Sequence, residues 1–142
     1  RGWIHAWPCT RIDIHIEVAS VKFDELSNIK VEEKSDSIRA RVDRARKVQL
    51  ERYKGLNIYS NSQLQPAMID QFCRIDEKGY KLMRDAFEKL SLSARAHHRI
   101  LKVARTIADM DESEDIKPFH LAEAIQYRSL DRRSANSLKR YW

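Results

Sequence analysis

Glycine is scarce in this sequence: three occur among 142 residues, at positions 2, 55 and 79. A G-x-x-x-x-G-K-[ST] phosphate loop or a G-x-G-x-x-G dinucleotide turn needs several glycines close together, because the backbone there must do without Cβ atoms. The three glycines lie too far apart to build either turn. The chain therefore carries no nucleotide-cradling loop of its own.

Cysteine and long apolar runs are also in short supply. Cys9 and Cys73 are too few and too far apart for a disulfide framework, which favours a reducing, intracellular setting. There is no run of about 18 apolar residues, so a membrane-spanning role is excluded. The mean hydropathy of −0.64 agrees with this. No secretory signal is recognisable either, and we expect a cytoplasmic protein.

The chain has the length of one domain and a basic charge balance. Lys and Arg number 27 against 21 Asp and Glu, for a formal net charge of +6. A chain of this length buries roughly two thirds of its unfolded surface, so it can support a core without disulfides. Residues 1–9 contain two tryptophans and no initiating Met, and we expect that this chain is a piece cut from a longer protein.

Residues 11–18, Arg-Ile-Asp-Ile-His-Ile-Glu-Val, alternate apolar and polar side chains. The apolar face consists of Ile12, Ile14, Ile16 and Val18. This period predicts a β-strand with one buried side. A strand needs a partner for its backbone, so we expect an isolated strand whose sheet lies outside this chain. With the aperiodic linker that follows, residues 1–34 form an N-terminal tail.

From position 35 the apolar period becomes helical and predicts a mainly α-helical small bundle over 35–127. The predicted helix starts are Ser35 or Ser37, Pro66, Asp76, Ser91 or Ser93, and Pro118. The predicted inward positions are Ile38, Val42, Ala45 and Gln49; Met68, Ile69 and Phe72; Tyr80, Met83, Phe87 and Leu90; Ile100, Leu101, Ala104, Ile107 and Ala108; and Leu121, Ala122 and Ile125. Beyond about Tyr127 no apolar stripe continues, and 128–142 are predicted to be a basic, flexible tail.

No cluster of side chains predicts a metal or nucleophilic centre. His97 and His98 are adjacent and point in different directions on a helix, and neither cysteine has a partner at C-x-x-C spacing. We interpret Cys73 as a small core residue. The carboxylates of 111–115 are interpreted as a solvated turn.

Basic residues crowd the predicted first helix, between positions 39 and 54. The run has two interpretations: a solvated helix face, or a surface that contacts nucleic-acid phosphates. Asp36, Asp43 and Glu51 interrupt it, which favours the solvated face. Under the second interpretation the candidate nucleic-acid contacts are Arg39, Arg41, Arg44 and Lys47.

The order of elements resembles a known family. The stretch 90–109, Leu-Ser-Leu-Ser-Ala-Arg-Ala-His-His-Arg-Ile-Leu-Lys-Val-Ala-Arg-Thr-Ile-Ala-Asp, followed by 116–132, looks like the C-terminal domain of the magnesium chelatase subunit I-like AAA+ ATPases. Within them it is most similar to the YifB/ComM branch. Residues 11–18 resemble the last core strand of that family, and 49–54 resemble its first lid helix.

The resemblance implies an AAA+ ATPase whose Walker A and Walker B motifs lie upstream, with residues from about 35 forming the helical lid. It implies that Arg95, in Ser93-Ala-Arg, is the sensor 2 arginine that reaches the γ-phosphate of ATP. Arg11 would be an arginine finger that acts on the neighbouring subunit. A permanently charged, planar guanidinium suits phosphate oxygens. ATP and Mg²⁺ are the expected cofactors of the full-length protein, and this fragment alone is expected to bind neither.

The intact protein would, by the same resemblance, hydrolyse ATP as a ring oligomer, a hexamer, and remodel DNA as branch-migration helicases do. Its expected partners are its own ATPase core, the neighbouring subunits and DNA, and no membrane. Two alternatives stay open. One is the lid of a true magnesium chelatase, against which residues 122–132 argue; the other is a stand-alone basic helical DNA-binding module.

Overall fold

The computed structural model describes residues 13–16, 18 and 33–138, and these form a helical bundle. Its α-helices are α1 (Ser35–Arg52), α2 (Pro66–Phe72), α3 (Glu77–Leu90), α4 (Ala94–Met110) and α5 (Pro118–Leu138). A 3₁₀ turn at Asn61–Gln63 lies between α1 and α2. The prediction of a mainly α-helical fold is therefore confirmed.

Helix α4 lies at the centre of the bundle. α1, the 3₁₀ turn, α2 and α5 all pack against it, while α3 packs against α5. Ile100, Leu101, Ala104 and Ala108 are buried as predicted, whereas Ile107 is half-buried. The two alanines let neighbouring helices approach closely, since interaxial distance depends on side-chain size at the contact.

Side-chain caps explain where two of the five described helices, α3 and α4, begin. Asp76 Oδ1 accepts a hydrogen bond from Gly79 N at 2.6 Å, and Ser93 Oγ accepts one from Ala96 N at 3.2 Å. Both caps match the prediction, as does Pro66 at the first position of α2. At α1 the predicted serine cap is wrong, because Lys34 precedes the helix and makes no side-chain cap.

The predicted isolated β-strand over 11–18 is wrong in the part that the structure describes. These residues show no strand pairing there, and Ile16 and Val18 are 70% and 84% exposed. His15 N instead donates a hydrogen bond to the Tyr127 carbonyl of α5, at 3.0 Å. Alternation alone does not make a strand, because the backbone groups need a neighbouring strand to form a ladder.

Helix α3 buries Met83 as predicted, but the prediction that Tyr80 and Phe87 face the core is wrong. Gly79, Met83 and Ala86 are buried, whereas Tyr80 is 65% and Phe87 39% exposed. A Cβ atom at position 79 would lie only 3.0 Å from the Asp76 carboxylate and 3.3 Å from the Ile75 Cβ atom. A side chain at position 79 would therefore crowd the cap of α3 itself, and the buried face of the helix consists of Gly79, Met83 and Ala86, with the aromatic rings exposed.

The last helix is longer than predicted. The apolar pattern ends near Tyr127, but α5 continues to Leu138, so the predicted helix end is wrong. An existing helix gains one backbone hydrogen bond for each residue added, and this extension does not require an apolar stripe. Residues 139–142 of the predicted flexible tail lie outside the described part of the chain.

Two positions predicted to face the core are exposed. Ile38 is exposed near the start of α1, where Ala45 and Gln49 supply the buried contact further along. Ala122 is also exposed, because α5 instead buries Ala124 on the turn that faces α4 and α3. In both helices the buried face is set by where the neighbouring helices cross.

Candidate functional site

Arg95 is the second residue of α4, and its side chain is exposed. The Ser93 cap defines the helix start immediately before it. The guanidinium of Arg95 makes no hydrogen bond or ion pair with any residue in the described part of the chain. A cation at the positive end of a helix dipole, with all its donors unused, is suited to meet an anion.

Two more basic residues follow Arg95 along the same face of α4, at the i+4 and i+7 positions. Arg99 Nε lies 3.2 Å from Asp13 Oδ1, and Lys102 Nζ donates a hydrogen bond of 2.9 Å to the Ser62 carbonyl. Both therefore have protein partners. Of the three, Arg95 is the one without a hydrogen-bond or ion-pair partner among the described residues.

The second predicted arginine, Arg11, lies outside the described residues, so its assignment as an arginine finger stays a prediction. Of the residues that follow it, Asp13 and His15 are described and contact the helical bundle. Asp13 contacts Arg99 on α4, and His15 N bonds to the Tyr127 carbonyl on α5. The segment 13–16 is thus joined to the same half of α4 that carries Arg95.

The four candidate nucleic-acid contacts on α1 do not share one face. Arg41 Nη2 lies 3.0 Å from Glu33 Oε2, and Arg44 Nε lies 2.9 Å from Glu112 Oε1, in exposed ion pairs. Arg39 and Lys47 are exposed and make no ion pair with a described residue. Residues two apart on a helix do not face each other, so Arg39 and Arg41 lie on different flanks. Their roles stay predictions.

The contact between α1 and α4 contains a buried carboxylate that the sequence analysis missed. Both Nη atoms of Arg52 donate to Asp109, at 2.9 and 2.5 Å, and Arg105 Nε donates to the same carboxylate at 3.1 Å. Asn61 Nδ2 adds a fourth hydrogen bond at 2.8 Å. Burial alone would lower the pKa of Arg52, but its hydrogen bonds to Asp109 and the attraction of that carboxylate raise the pKa above its usual value.

The groups around Asp109 also bond to one another and to backbone carbonyls. Tyr53 Oη donates to Asn61 Oδ1 at 2.6 Å, and Gln49 Oε1 accepts from Asn61 N at 3.3 Å. Arg105 donates its two Nη atoms to the carbonyls of Ser113 and Glu114, at 2.6 and 2.7 Å. We name this set, with Arg52 and Asp109, the Asp109 network. One signal could have revealed it: Arg105 and Asp109 are four residues apart within an otherwise apolar helix face.

The carboxylates of the acidic connector 111–115 lie in an exposed turn, as predicted, and side chains of α4 and α5 bind this connector. Arg105 binds its carbonyls, and His120 Nε2 lies 3.2 Å from Asp111 Oδ2. His120 Nδ1 accepts a hydrogen bond from Lys117 N at 3.0 Å. His120 therefore reaches back to the start of α5 as Glu or Gln does in a capping box. Since Nδ1 is an acceptor, the ring hydrogen is on Nε2 and is donated to Asp111.

Other titratable groups show no catalytic arrangement in the described residues. Cys73 is buried, and burial raises the pKa of its thiol to about 11, so it is protonated at neutral pH and acts as a core residue. Burial, and then the neighbouring His98, lower the pKa of His97. In the described ranges, no three His, Cys, Asp or Glu residues stand where they could share a metal ion.

No helix in the described part of the chain combines the length and the apolar character needed to cross a bilayer.

Comparison with known proteins gives a consistent result. The family model described as magnesium chelatase, subunit ChlI C-terminal, matches residues 32–128. The chain is 40% identical over 123 residues to the competence protein ComM of Haemophilus influenzae, covering 86% of this chain and 23% of the relative. It is 38% identical over 123 residues to the uncharacterized protein YifB of Escherichia coli, covering 86% of this chain and 24% of the relative.

The matched region contains the elements that build the site. It begins just before α1 and ends within α5, so it includes Arg95 and the whole Asp109 network. The chain spans about a quarter of the length of the curated relatives that it matches. The chain therefore belongs to the family of magnesium chelatase ChlI C-terminal domains, as the C-terminal domain of a ComM/YifB-type protein.

Proposed function

We propose that this chain is the lid domain of an AAA+ ATPase, and that Arg95 is the sensor 2 residue that contacts the γ-phosphate of ATP. The observation that carries the proposal is the state of Arg95: exposed, at the start of a capped helix, and unpaired within the described residues. Family membership supports it, since the matched region 32–128 includes this helix start.

The chemistry of ATP with Mg²⁺ fits such a position. A guanidinium donates in a planar fork that matches phosphate oxygens, and its charge does not depend on pH in the physiological range. Phosphoryl transfer depends mainly on positioning and on cations that neutralise developing charge. ATP and Mg²⁺ bound by an upstream core would therefore require a cation from the lid at the γ-phosphate. Arg95 would bind and orient the phosphate from the lid side.

The Asp109 network suits a lid that moves as one piece. It joins the C-terminal half of α4 to α1 and to the 3₁₀ turn through charged hydrogen bonds. A displacement of Arg95 at one end of α4 would then reach α1 instead of being lost in local bending. Lid movements of this kind accompany nucleotide binding and product release in many enzymes.

The proposal extends to the intact protein: a ring of subunits, a hexamer, that uses ATP hydrolysis to remodel DNA by branch migration. Arg11 would act as the arginine finger towards the neighbouring subunit. On α1, Arg39 and Lys47 are the stronger candidates for DNA phosphates, because the charges of Arg41 and Arg44 are offset by Glu33 and Glu112.

The substitution Arg95→Ala in the full-length protein tests the nucleotide role. We expect ATP hydrolysis at saturating ATP to fall by about tenfold or more, since an interaction with the transferring phosphate is lost. Arg84→Ala is the matched control, because Arg84 is equally a helix arginine but pairs with Glu88 on the outer surface of α3. Unchanged hydrolysis and unchanged nucleotide affinity in Arg95→Ala would refute the sensor 2 assignment.

Titration of duplex and forked DNA tests the DNA role. We expect the double variant Arg39→Ala with Lys47→Ala to weaken binding by the full-length protein more than Arg41→Ala with Arg44→Ala, and to reduce the salt dependence. Equal losses would contradict the assignment. Strong, salt-dependent binding by this domain alone would instead favour the stand-alone DNA-binding module.

A further inference from the structure

We propose that Arg99 is a switchable second cation for the phosphate that Arg95 recognises, and that Asp13 holds Arg99 when no nucleotide is bound. The inference rests on the proposed role of Arg95. Arg99 lies one helical turn after Arg95 on the same face of α4, so both side chains project to the same side of the helix. Two guanidinium groups at this spacing can reach a common anion.

The bonding of Arg99 is incomplete in the observed position. Its Nε atom lies 3.2 Å from Asp13 Oδ1, but its Nη1 atom is buried and has no hydrogen-bond partner among the described residues. A buried N–H group without an acceptor is unfavourable. An anion beside Arg95 would offer the acceptor that Arg99 lacks.

The hold of Asp13 on Arg99 is weak enough to be exchanged. The Asp13 side chain is 53% exposed, and ion pairs in contact with water contribute little. A phosphate group carries more charge and more acceptor atoms than a carboxylate, so it competes well for a guanidinium. Rotation of the Arg99 side chain would then break one ion pair and form another.

Release of Asp13 would weaken the attachment of the segment that precedes the helical domain. The described segment 13–16 has two anchors: Asp13 on α4, and His15 N, which donates to the Tyr127 carbonyl of α5 at 3.0 Å. Loss of the first leaves the segment held by the second. Nucleotide binding at Arg95 would therefore loosen the connection between the helical domain and the chain before it.

Nucleotide affinity in the full-length protein provides the first test, with a fluorescent ATP analogue and Mg²⁺ as the probe. We expect Asp13→Asn to tighten binding by about threefold to fivefold, because Arg99 is freed, and Arg99→Gln to weaken it by about fivefold or more. In the Arg99→Gln background, Asp13→Asn should have no effect. Arg84→Gln and Glu88→Gln, which break an exposed ion pair on α3, should leave affinity unchanged.

The opposite effects of Asp13→Asn and Arg99→Gln on nucleotide affinity distinguish the switch from a merely structural contact. If Asp13 and Arg99 only hold the domain in shape, both substitutions weaken binding together, and the proposal is overturned. No change in either variant also overturns it. The Arg95→Ala variant distinguishes failure of the proposed function from failure of the switch. Unchanged nucleotide affinity and hydrolysis in Arg95→Ala reject both. If Arg95→Ala weakens binding but Asp13→Asn and Arg99→Gln do not change affinity in opposite directions, the switch alone is rejected.

Hydrogen exchange of the His15 amide provides a second test, since this amide donates to Tyr127 in the observed state. We expect ATP to speed its exchange at least about threefold in the unmodified protein, and to have no such effect in Arg99→Gln, because the coupling is reciprocal. An exchange rate that ATP leaves unchanged in the unmodified protein would overturn the switch.

Discussion

The two ends of helix α4 use arginine differently. At the C-terminal end, Arg52 of α1 and Arg105 of α4 donate hydrogen bonds to the buried Asp109 carboxylate. Arg105 also donates to backbone carbonyls. At the N-terminal end, Arg95 has no protein partner in the described residues and Arg99 has a buried Nη1 atom without one. The guanidinium group is the same, but donors that bond within the protein hold the fold, whereas unused donors can bind a ligand.

Removal of Asp109 should have the largest effect on stability. Asp109→Ala leaves the charges of Arg52 and Arg105 without their partner in the buried contact between α1 and α4, and we expect a loss of about 3–5 kcal/mol in the free energy of unfolding. Urea denaturation of this domain measures it. Glu88→Ala, which removes an exposed partner, should change stability by less than about 0.5 kcal/mol. A loss under about 1 kcal/mol for Asp109→Ala would mean that the network is not structural.

Removal of His120 should have the next largest effect on stability. The His120 ring bonds to Asp111 in the connector after α4 and to Lys117 N at the start of α5. His120→Ala removes the acceptor for Lys117 N and the donor to Asp111, and it empties a buried position. We expect a loss of about 2–3 kcal/mol. His120→Gln can keep the capping bond and should recover part of this loss. Equal losses in both variants would show that the ring contributes by packing alone.

Substitution of Ser91 by glycine should stabilise the junction between α3 and α4. Ser91 ends α3 with φ +44°, in the left-handed region, just before α4 begins. Ser91→Gly removes the steric penalty of Cβ there, and we expect a gain of about 0.5–1 kcal/mol. Thermal denaturation measures it. Ser93→Gly is the contrasting control: it removes the Oγ acceptor of the Ser93 cap and should not stabilise the domain.

The pH dependence of stability should carry a small contribution from His97. Burial, followed by repulsion from His98, lowers the pKa of His97 below its ordinary value of 6.5. The unfolded chain therefore binds this proton more readily, so the stabilisation is present above pH 6.5 and is lost as the pH falls below it towards the lower folded pKa. Urea midpoints at about pH 7.5 and about pH 5.5 should lie closer together in His97→Gln. An unchanged separation of the midpoints would assign the pH dependence to other groups.

Arg95→Ala should have the smallest effect on folding, in contrast to its expected effect on ATP hydrolysis. The side chain is exposed and has no bond to lose within the described residues. We expect the free energy of unfolding to change by less than about 0.5 kcal/mol, by urea denaturation. A larger loss would place Arg95 with the structural arginines and would end the contrast between the two ends of α4.

Much of the helical architecture could be predicted from sequence. The starts of α3 and α4 depend on Asp76 and Ser93, whose side chains bond to N–H groups three residues away, and such contacts are local. Periodicity also identified Ile100, Leu101, Ala104 and Ala108 as core residues of α4. On the site, the sequence placed Arg95 at a helix start, and the structure agrees with that position.

The errors have a common physical origin in contacts between distant residues. Tyr80 and Phe87 lie at helical spacing, but α3 packs against α5 through a face that buries Gly79, Met83 and Ala86 and leaves both rings exposed. The Asp109 network joins α1, the 3₁₀ turn and α4. The spacing of Arg105 and Asp109 indicates a pair within α4, but it does not show that Arg52 and Asn61 bind the same carboxylate. The alternation of 11–18 likewise predicted a strand without showing whether a neighbouring strand was present.

The sequence by itself determined the helical class, the caps and the apolar stripe of α4, because these depend on side chains within one or two turns of each other. Only the tertiary structure decided that Arg52, Arg99 and Arg105 have carboxylate partners and that Arg95 has none among the described residues. That distinction arises because hydrogen bonding to a guanidinium depends on groups brought together from elsewhere in the chain: Asp109 and Asn61 for Arg52, Asp13 for Arg99, and no described residue for Arg95.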